Sequence, residues 1–157
     1  MNNLIKMTAL IIILAISIVS KAQDKQAYNI DNSNIALEGY SPVSYLDLGL
    51  AQRGLKEFKS EYDKVIYYFT SAEQKSTFDA NPKKYLPQYG GYCAFGMYVG
   101  AKFRPDPNKF IAKDGKYFLY LYNIELDAQQ LWLDEKNHSG LVKKANENWS
   151  KLKGTYN

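Results

Sequence analysis

The sequence predicts an α+β domain, a small antiparallel sheet of about four strands with three or four packed helices. Three observations carry this. Between residues 58 and 69, and again between 109 and 122, β-branched and aromatic side chains cluster in short runs that flank the turn pairs Asp63-Lys64 and Asp114-Gly115. Near the end of the chain the apolar positions instead recur every three or four residues, at Leu141, Ala145, Trp149 and Leu152. No strand-helix-strand series exists, and no glycine-rich phosphate loop precedes a helix, so a doubly wound fold is excluded.

Each element follows from local chemistry. Ile35-Ala36-Leu37 reads as a short strand ending at Glu38-Gly39, after a polar arm over residues 23–34. Pro42 to Leu48 suits a short helix opened by Ser41, with proline at its first position. Phe58 to Tyr62 and Val65 to Phe69 form two strands, and Ser71 then opens a helix. Gln74 stands three residues after Ser71, the spacing of a capping box, with Phe78 on the buried face and Asn81-Pro82 as the stop. Lys83 to Leu86 adds a turn before Pro87. Tyr89 to Gly96 carries glycine at 90, 91 and 96 and reads as a shaped loop or irregular strand. Lys109 to Lys113 and Lys116 to Tyr122 pair about Asp114-Gly115, which favours a primed hairpin turn. Leu126 to Lys136 is a helix turning Leu131 and Trp132 inward, and the last helix follows it.

Met1 to Lys6 is polar and basic, Met7 to Val19 is apolar, and Ser20-Lys21-Ala22 places small residues where a signal peptidase reads them. The first 22 of the 157 residues therefore read as an export signal, which leaves a single domain over residues 35–153 behind the arm. The competing reading, a membrane anchor, needs about 20 apolar residues, and this run stops sooner. A periplasmic or secreted location follows, with no stable membrane span after cleavage. Of the formal charge of +4, Lys6 and Lys21 belong to the leader, so the remaining balance of +2 gives no footprint for nucleic acid. The single Cys and single His exclude a disulfide framework, cysteine-rich zinc motifs and multi-histidine metal sites.

Gly39-Tyr40-Ser41-Pro42-Val43-Ser44-Tyr45, Ile66 to Ser71, Phe78, Asn81-Pro82, Tyr85-Leu86 and Gly90-Gly91-Tyr92-Cys93-Ala94 stand in one ordered series. With the hairpin reaching Tyr122, the chain resembles the exported YHS domain-containing proteins of bacteria, from about Ile35 to Leu152. Metal-associated YHS modules tend to carry thiols at three positions held here by Ser44, Thr70 and Gln74. Hydroxyls and an amide cannot replace thiolates as ligands for Cu(I) or structural zinc, so no structural zinc is expected. Some members of the exported family are described as carrying selenocysteine at the position of Cys93, which implies a site suited to chalcogen chemistry.

Cys93 is thus the candidate catalytic residue and the candidate metal ligand, for a copper-type soft ion or for thiol redox chemistry. The bland reading is that it is a small buried hydrophobe. A Cys-X-X-Cys cycle is impossible with one cysteine, and a lowered pKa would require Lys83, Lys84, Lys102 or Arg104 to fold close to it. Tyr40, Tyr45, Tyr89 and Tyr92 are the candidate ligand-binding residues, lining a cavity between the Tyr89 to Gly96 loop and the Tyr40 to Tyr45 segment. His138 reads as a surface residue of the link between the last two helices. Two functions remain open: a thiol presented to a metal ion or oxidant, and a non-catalytic module for a small ligand or protein with Cys93 buried.

Overall fold

The computed structural model describes residues 27–155. The expected export signal lies outside them. Two antiparallel hairpins and four α-helices make up the described chain, joined by irregular segments and short turns. The first hairpin pairs β1 (Leu55–Tyr62) with β2 (Val65–Phe69). Helix α1 (Ala72–Ala80) packs on it, and α2 (Ala94–Val99) follows. The second hairpin pairs β3 (Asp106–Lys113) with β4 (Lys116–Tyr120). Helices α3 (Ala128–Asp134) and α4 (His138–Leu152) close the domain. Among the described residues no helix is long and apolar enough to cross a membrane.

The hairpin turns obey the residue chemistry. Asp63 and Lys64, at φ +53° and +62°, and Asp114 and Gly115, at φ +53° and +69°, are all left-handed, as a turn matching the twist of its strands requires. The four strands do not join into one sheet, however: they form two separate two-stranded sheets. The edges that could have met are taken by irregular chain. Residues 34–36 lie along β2, with Ile66 N–H donating to the Asn34 carbonyl at 2.8 Å and Ala36 N–H to the Ile66 carbonyl at 3.0 Å. Cys93 forms a parallel bridge to Leu119 of β4. Each edge is covered, so neither is free to extend.

β4 then serves as an internal wall. Tyr117 and Leu119 belong to one core cluster, with Tyr45, Tyr67, Phe69, Phe78 and Tyr85. Phe118 and Tyr120, facing the other way, belong to a second with Cys93, Met97, Trp132 and Leu141. A strand buried on both faces must be apolar at every position, which is why Tyr-Phe-Leu-Tyr shows no alternation.

Several details differ from the sequence expectation. Ile35 and Ala36 make single bridges, and Leu37–Gly39 is a left-handed 3-10 turn with φ of +57°, +52° and +82°. Residues 89–91 repeat that conformation, at φ +55°, +60° and +87°. From Ala27 onward the expected loose arm is docked on this second turn: Asn29 N–H donates to the Gly90 carbonyl at 2.8 Å. The approach is so close that a Cβ on Gly90 would stand 1.9 Å from the Ala27 carbonyl oxygen. The remainder of the Tyr89 to Gly96 segment starts α2, a helix the glycines concealed. In α3 the inward pair is Ala128 and Trp132; Leu131 is 38 % exposed, because a face one helical turn long admits only the i and i+4 positions.

His138 is the first residue of α4. Its Nδ1 accepts a hydrogen bond from Trp132 Nε1 at 3.0 Å, and its ring stands edge-on to Phe118. Burial, then nearby Lys113, hold its pKa below the usual histidine value, with Asp114 opposing. A proton there would cost the Trp132 bond and place positive charge at a helix N-terminus. The unfolded chain therefore takes up the proton at higher pH than the folded one, so stability is full above about pH 6.5 and falls as the pH drops through the folded pKa. Melting curves from pH 7 to pH 5 are expected to decline less for His138→Gln, and an unchanged decline would assign the pH dependence to other groups.

Candidate functional site

The structure does not assemble the cavity expected from the sequence, because β4 separates its two walls. Tyr45 lies in the first core and is fully buried, its hydroxyl donating to the Pro107 carbonyl at 2.6 Å. Tyr89 and Tyr92 lie in the second core, their hydroxyls donating to Asn146 Oδ1 at 3.1 Å and to the Tyr28 carbonyl at 3.3 Å. Desolvation raises the pKa of all three phenols. Tyr89 also edges a small surface cleft beside Trp149. Tyr40 alone of the four is half-exposed, with the Arg53 guanidinium 5.4 Å from its ring centre.

Cys93 is 1 % exposed. It caps α2: its Sγ accepts from Gly96 N–H at 3.4 Å and from Leu121 N–H at 3.1 Å. Burial pushes its thiol pKa up, and the amides of Leu121, Gly96 and Phe95 oppose that only in part; no cationic side chain is among the influences. Two of the lysines that could have activated it are engaged elsewhere. Lys84 pairs with Asp47 at 3.1 Å, and Lys102 Nζ donates to the Thr155 carbonyl at 2.7 Å. The thiol is consequently protonated at neutral pH, shielded, and used as an acceptor. Among the described residues, no three His, Cys, Asp or Glu side chains gather where they could hold a metal ion.

Ser44, distant in sequence from Thr70 and Gln74, is brought to them. Gln74 Nε2 donates to Ser44 Oγ at 2.9 Å, and Ser44 Oγ donates on to Gln52 Oε1 at 2.9 Å. Gln74 Oε1 accepts from Ser41 Oγ at 2.6 Å and from Thr70 N–H at 3.3 Å. The Ser71 hydroxyl accepts from Gln74 N–H at 3.3 Å, as a cap should. The Gln74 side chain, however, serves this network instead of returning to Ser71, so only half of the capping box forms. One amide thus ties α1 to the Ser44–Leu48 turn, where thiolates would have needed a cation between them.

Open space lies outside both cores. A cleft of about 590 Å³ runs between the Leu37–Gly39 turn and the start of β1, with Tyr68 at its floor. A shallower lobe of about 340 Å³ continues past Tyr40 toward Tyr122, and Glu38, Arg53 and Arg104 line both. The backbone makes the cleft narrow at its base: Gly54 N–H donates to the Gly39 carbonyl at 2.8 Å. A Cβ on Gly54 would lie 2.6 Å from the Phe69 nitrogen, and one on Gly39 would lie 3.2 Å from the Tyr68 ring. Arg53 was not singled out in the sequence, and Glu38, Tyr68 and Arg104 were not read as parts of one cleft, because the four come from separate segments with no shared motif.

The chain matches no known family model, no curated protein and no solved structure.

Proposed function

We propose that this is an exported YHS-like domain acting as a non-catalytic module that binds a small ligand, with Cys93 as part of its framework. The observation that carries the reading is the position of the sulfur. It is enclosed, protonated and occupied by two backbone donors, while a cleft of about 590 Å³ lies elsewhere and has no cysteine, serine or threonine in its lining. A mostly preformed concavity with apolar walls and a few polar groups is the usual setting for a small ligand. The convergence of Ser44, Thr70 and Gln74 supports the YHS-like assignment, since these are the positions at which the resemblance places a metal site, and here they form a neutral hydrogen-bond network. Export, with a mature start at Gln23, remains part of the proposal on the strength of the leader's composition.

Thiol accessibility tests this reading against thiol chemistry. Cys93 is expected to resist an aromatic disulfide reagent in the native protein and to react at once in denaturant. Stoichiometric labelling of the native protein within minutes, or retention of Cu(I) that disappears in Cys93→Ser, would instead assign the function to the thiol.

A further inference from the structure

Resting on the ligand-binding reading, we infer that the cleft takes a phenolic ring, its hydroxyl donating to the Lys56 carbonyl and its face lying toward Tyr68. The domain contains an internal repeat, and the second half shows the same place filled. Residues 37–69 and 89–120 follow one plan, 51 or 52 residues apart. Each opens on a left-handed turn, Leu37–Gly39 or Tyr89–Gly91, followed by a tyrosine. The next residue caps a short helical turn: Ser41 Oγ accepts from Ser44 N–H at 3.5 Å, and Cys93 Sγ from Gly96 N–H at 3.4 Å. Its own amide fixes the returning chain, Ser41 N–H donating to the Gln52 carbonyl at 2.8 Å and Cys93 N–H to the Phe103 carbonyl at 3.0 Å. A hairpin comes next, with the same irregularity in both halves: three residues bulge between Leu55 and Lys59, and three between Asp106 and Phe110.

In the second half, the space between the bulge and the following strand holds Tyr45. Its ring stacks on Tyr117 at 5.1 Å and meets Phe110 edge-on at 4.9 Å, and its hydroxyl donates to the carbonyl of Pro107 in the bulge at 2.6 Å. The first-half counterparts of Pro107, Asn108 and Leu119 are Lys56, Glu57 and Tyr68, and these three line the cleft of about 590 Å³. The cleft is thus the counterpart of the berth that Tyr45 fills. Met97, which stands in the second half where Tyr45 stands in the first, is committed to the second core, so a ring for the cleft comes from a ligand. A backbone carbonyl only accepts, which calls for a donor at the far end of that ring. Glu38 and Glu57 share the lining with Arg53 and Lys56, so no net charge is asked of the ligand, and a phenol is neutral up to about pH 10. The volume suits a small molecule of which the ring is the anchoring part.

The test is an NMR titration of ¹⁵N-labelled protein with p-cresol, p-methylanisole, cyclohexanol, N-acetyltyrosinamide, benzamide and glucose, followed through the Gly39 and Gly54 amides. p-Cresol is expected to saturate these shifts and to give cross-relaxation from its ring protons to Tyr68 and the Leu55 methyls. It should bind about three- to tenfold tighter than p-methylanisole, which has no hydroxyl hydrogen to give, and tighter than cyclohexanol, which has no flat ring. N-acetyltyrosinamide binding more tightly than p-cresol would assign the ring to a tyrosyl peptide, and weaker binding to a free phenol; both keep the phenolic site. Leu55→Ala is expected to lower the affinity about threefold or more and, because Leu55 is exposed, to melt with the wild type. Equal affinity for p-cresol and p-methylanisole, or no loss in Leu55→Ala, would overturn the inference. Shifts from benzamide or glucose but from neither phenol would overturn it too, while leaving the binding module standing. Silence from every probe would remove the cleft as a ligand site altogether.

Discussion

Phe78→Ala is expected to lower stability by about 3–5 kcal/mol, the range for removing a fully enclosed aromatic ring. Phe78 is the one residue of α1 that is fully buried, and it meets Tyr67 and Phe69 of β2 at centroid distances of 5.1 and 5.0 Å and Tyr85 at 6.3 Å. Of the rings around it, Tyr85 is held through its hydroxyl to Asp47 at 2.8 Å, which limits collapse into the space. A single domain has only about 5–15 kcal/mol in total, and a loss of this size would lower the melting temperature by about 10 °C or more. Phe78→Leu keeps most of the volume and should cost less than half as much. Urea unfolding of the three proteins measures the difference. A loss below about 1 kcal/mol for the alanine variant would mean that α1 is not anchored through this ring.

The second large effect is at Cys93, where the order of variants matters more than any one value. Cys93→Ala leaves the amides of Gly96 and Leu121 without their acceptor in a closed region, and an unsatisfied buried donor costs about 1–3 kcal/mol. The expected loss is about 2–4 kcal/mol, somewhat below two full penalties because sulfur is a weak acceptor. Cys93→Ser retains an acceptor in a position where serine is a favoured helix cap, and should lose only about 1 kcal/mol. A cysteine that merely filled space would give the reverse order, since alanine fits an apolar hole better than a hydroxyl does. Finding alanine the better tolerated of the two would therefore remove the capping role and return Cys93 to the status of filler.

Both predictions depend on information of different origin. Phe78 as a buried residue was legible from its place in a capped helix, and so were both hairpin turns, the Ser71 cap, the short helix from Pro42 to Leu48 and the spacing of Leu141, Ala145 and Trp149. These features are settled within a few residues of chain, where steric limits on φ and ψ and the alternation of apolar positions act directly. Even so, the local signal could mislead at short range. Leu131 was expected to turn inward beside Trp132, yet a helix of seven residues has room for one buried stripe, and Ala128 shares it with Trp132.

The sequence by itself determined the α+β class, the two hairpins, the helix boundaries near residues 71 and 81, and the exclusion of cysteine-rich and multi-histidine metal centres, whereas it left His138, the first residue of α4, in a link. Tertiary structure alone decided that the hairpins stay apart, since that depends on residues 34–36 and Cys93 reaching strand edges far from them in the chain. It decided that Cys93 is a cap, because its second donor, Leu121 N–H, comes from the residue after β4, far along the chain. It also decided where the open cleft lies: Glu38, Arg53, Tyr68 and Arg104 share no local pattern and meet only because two close backbone approaches, at Gly39 and Gly54, fold their segments against one another. Local preference acts through the few dihedrals beside each residue, whereas a site is built from side chains that only packing brings into reach.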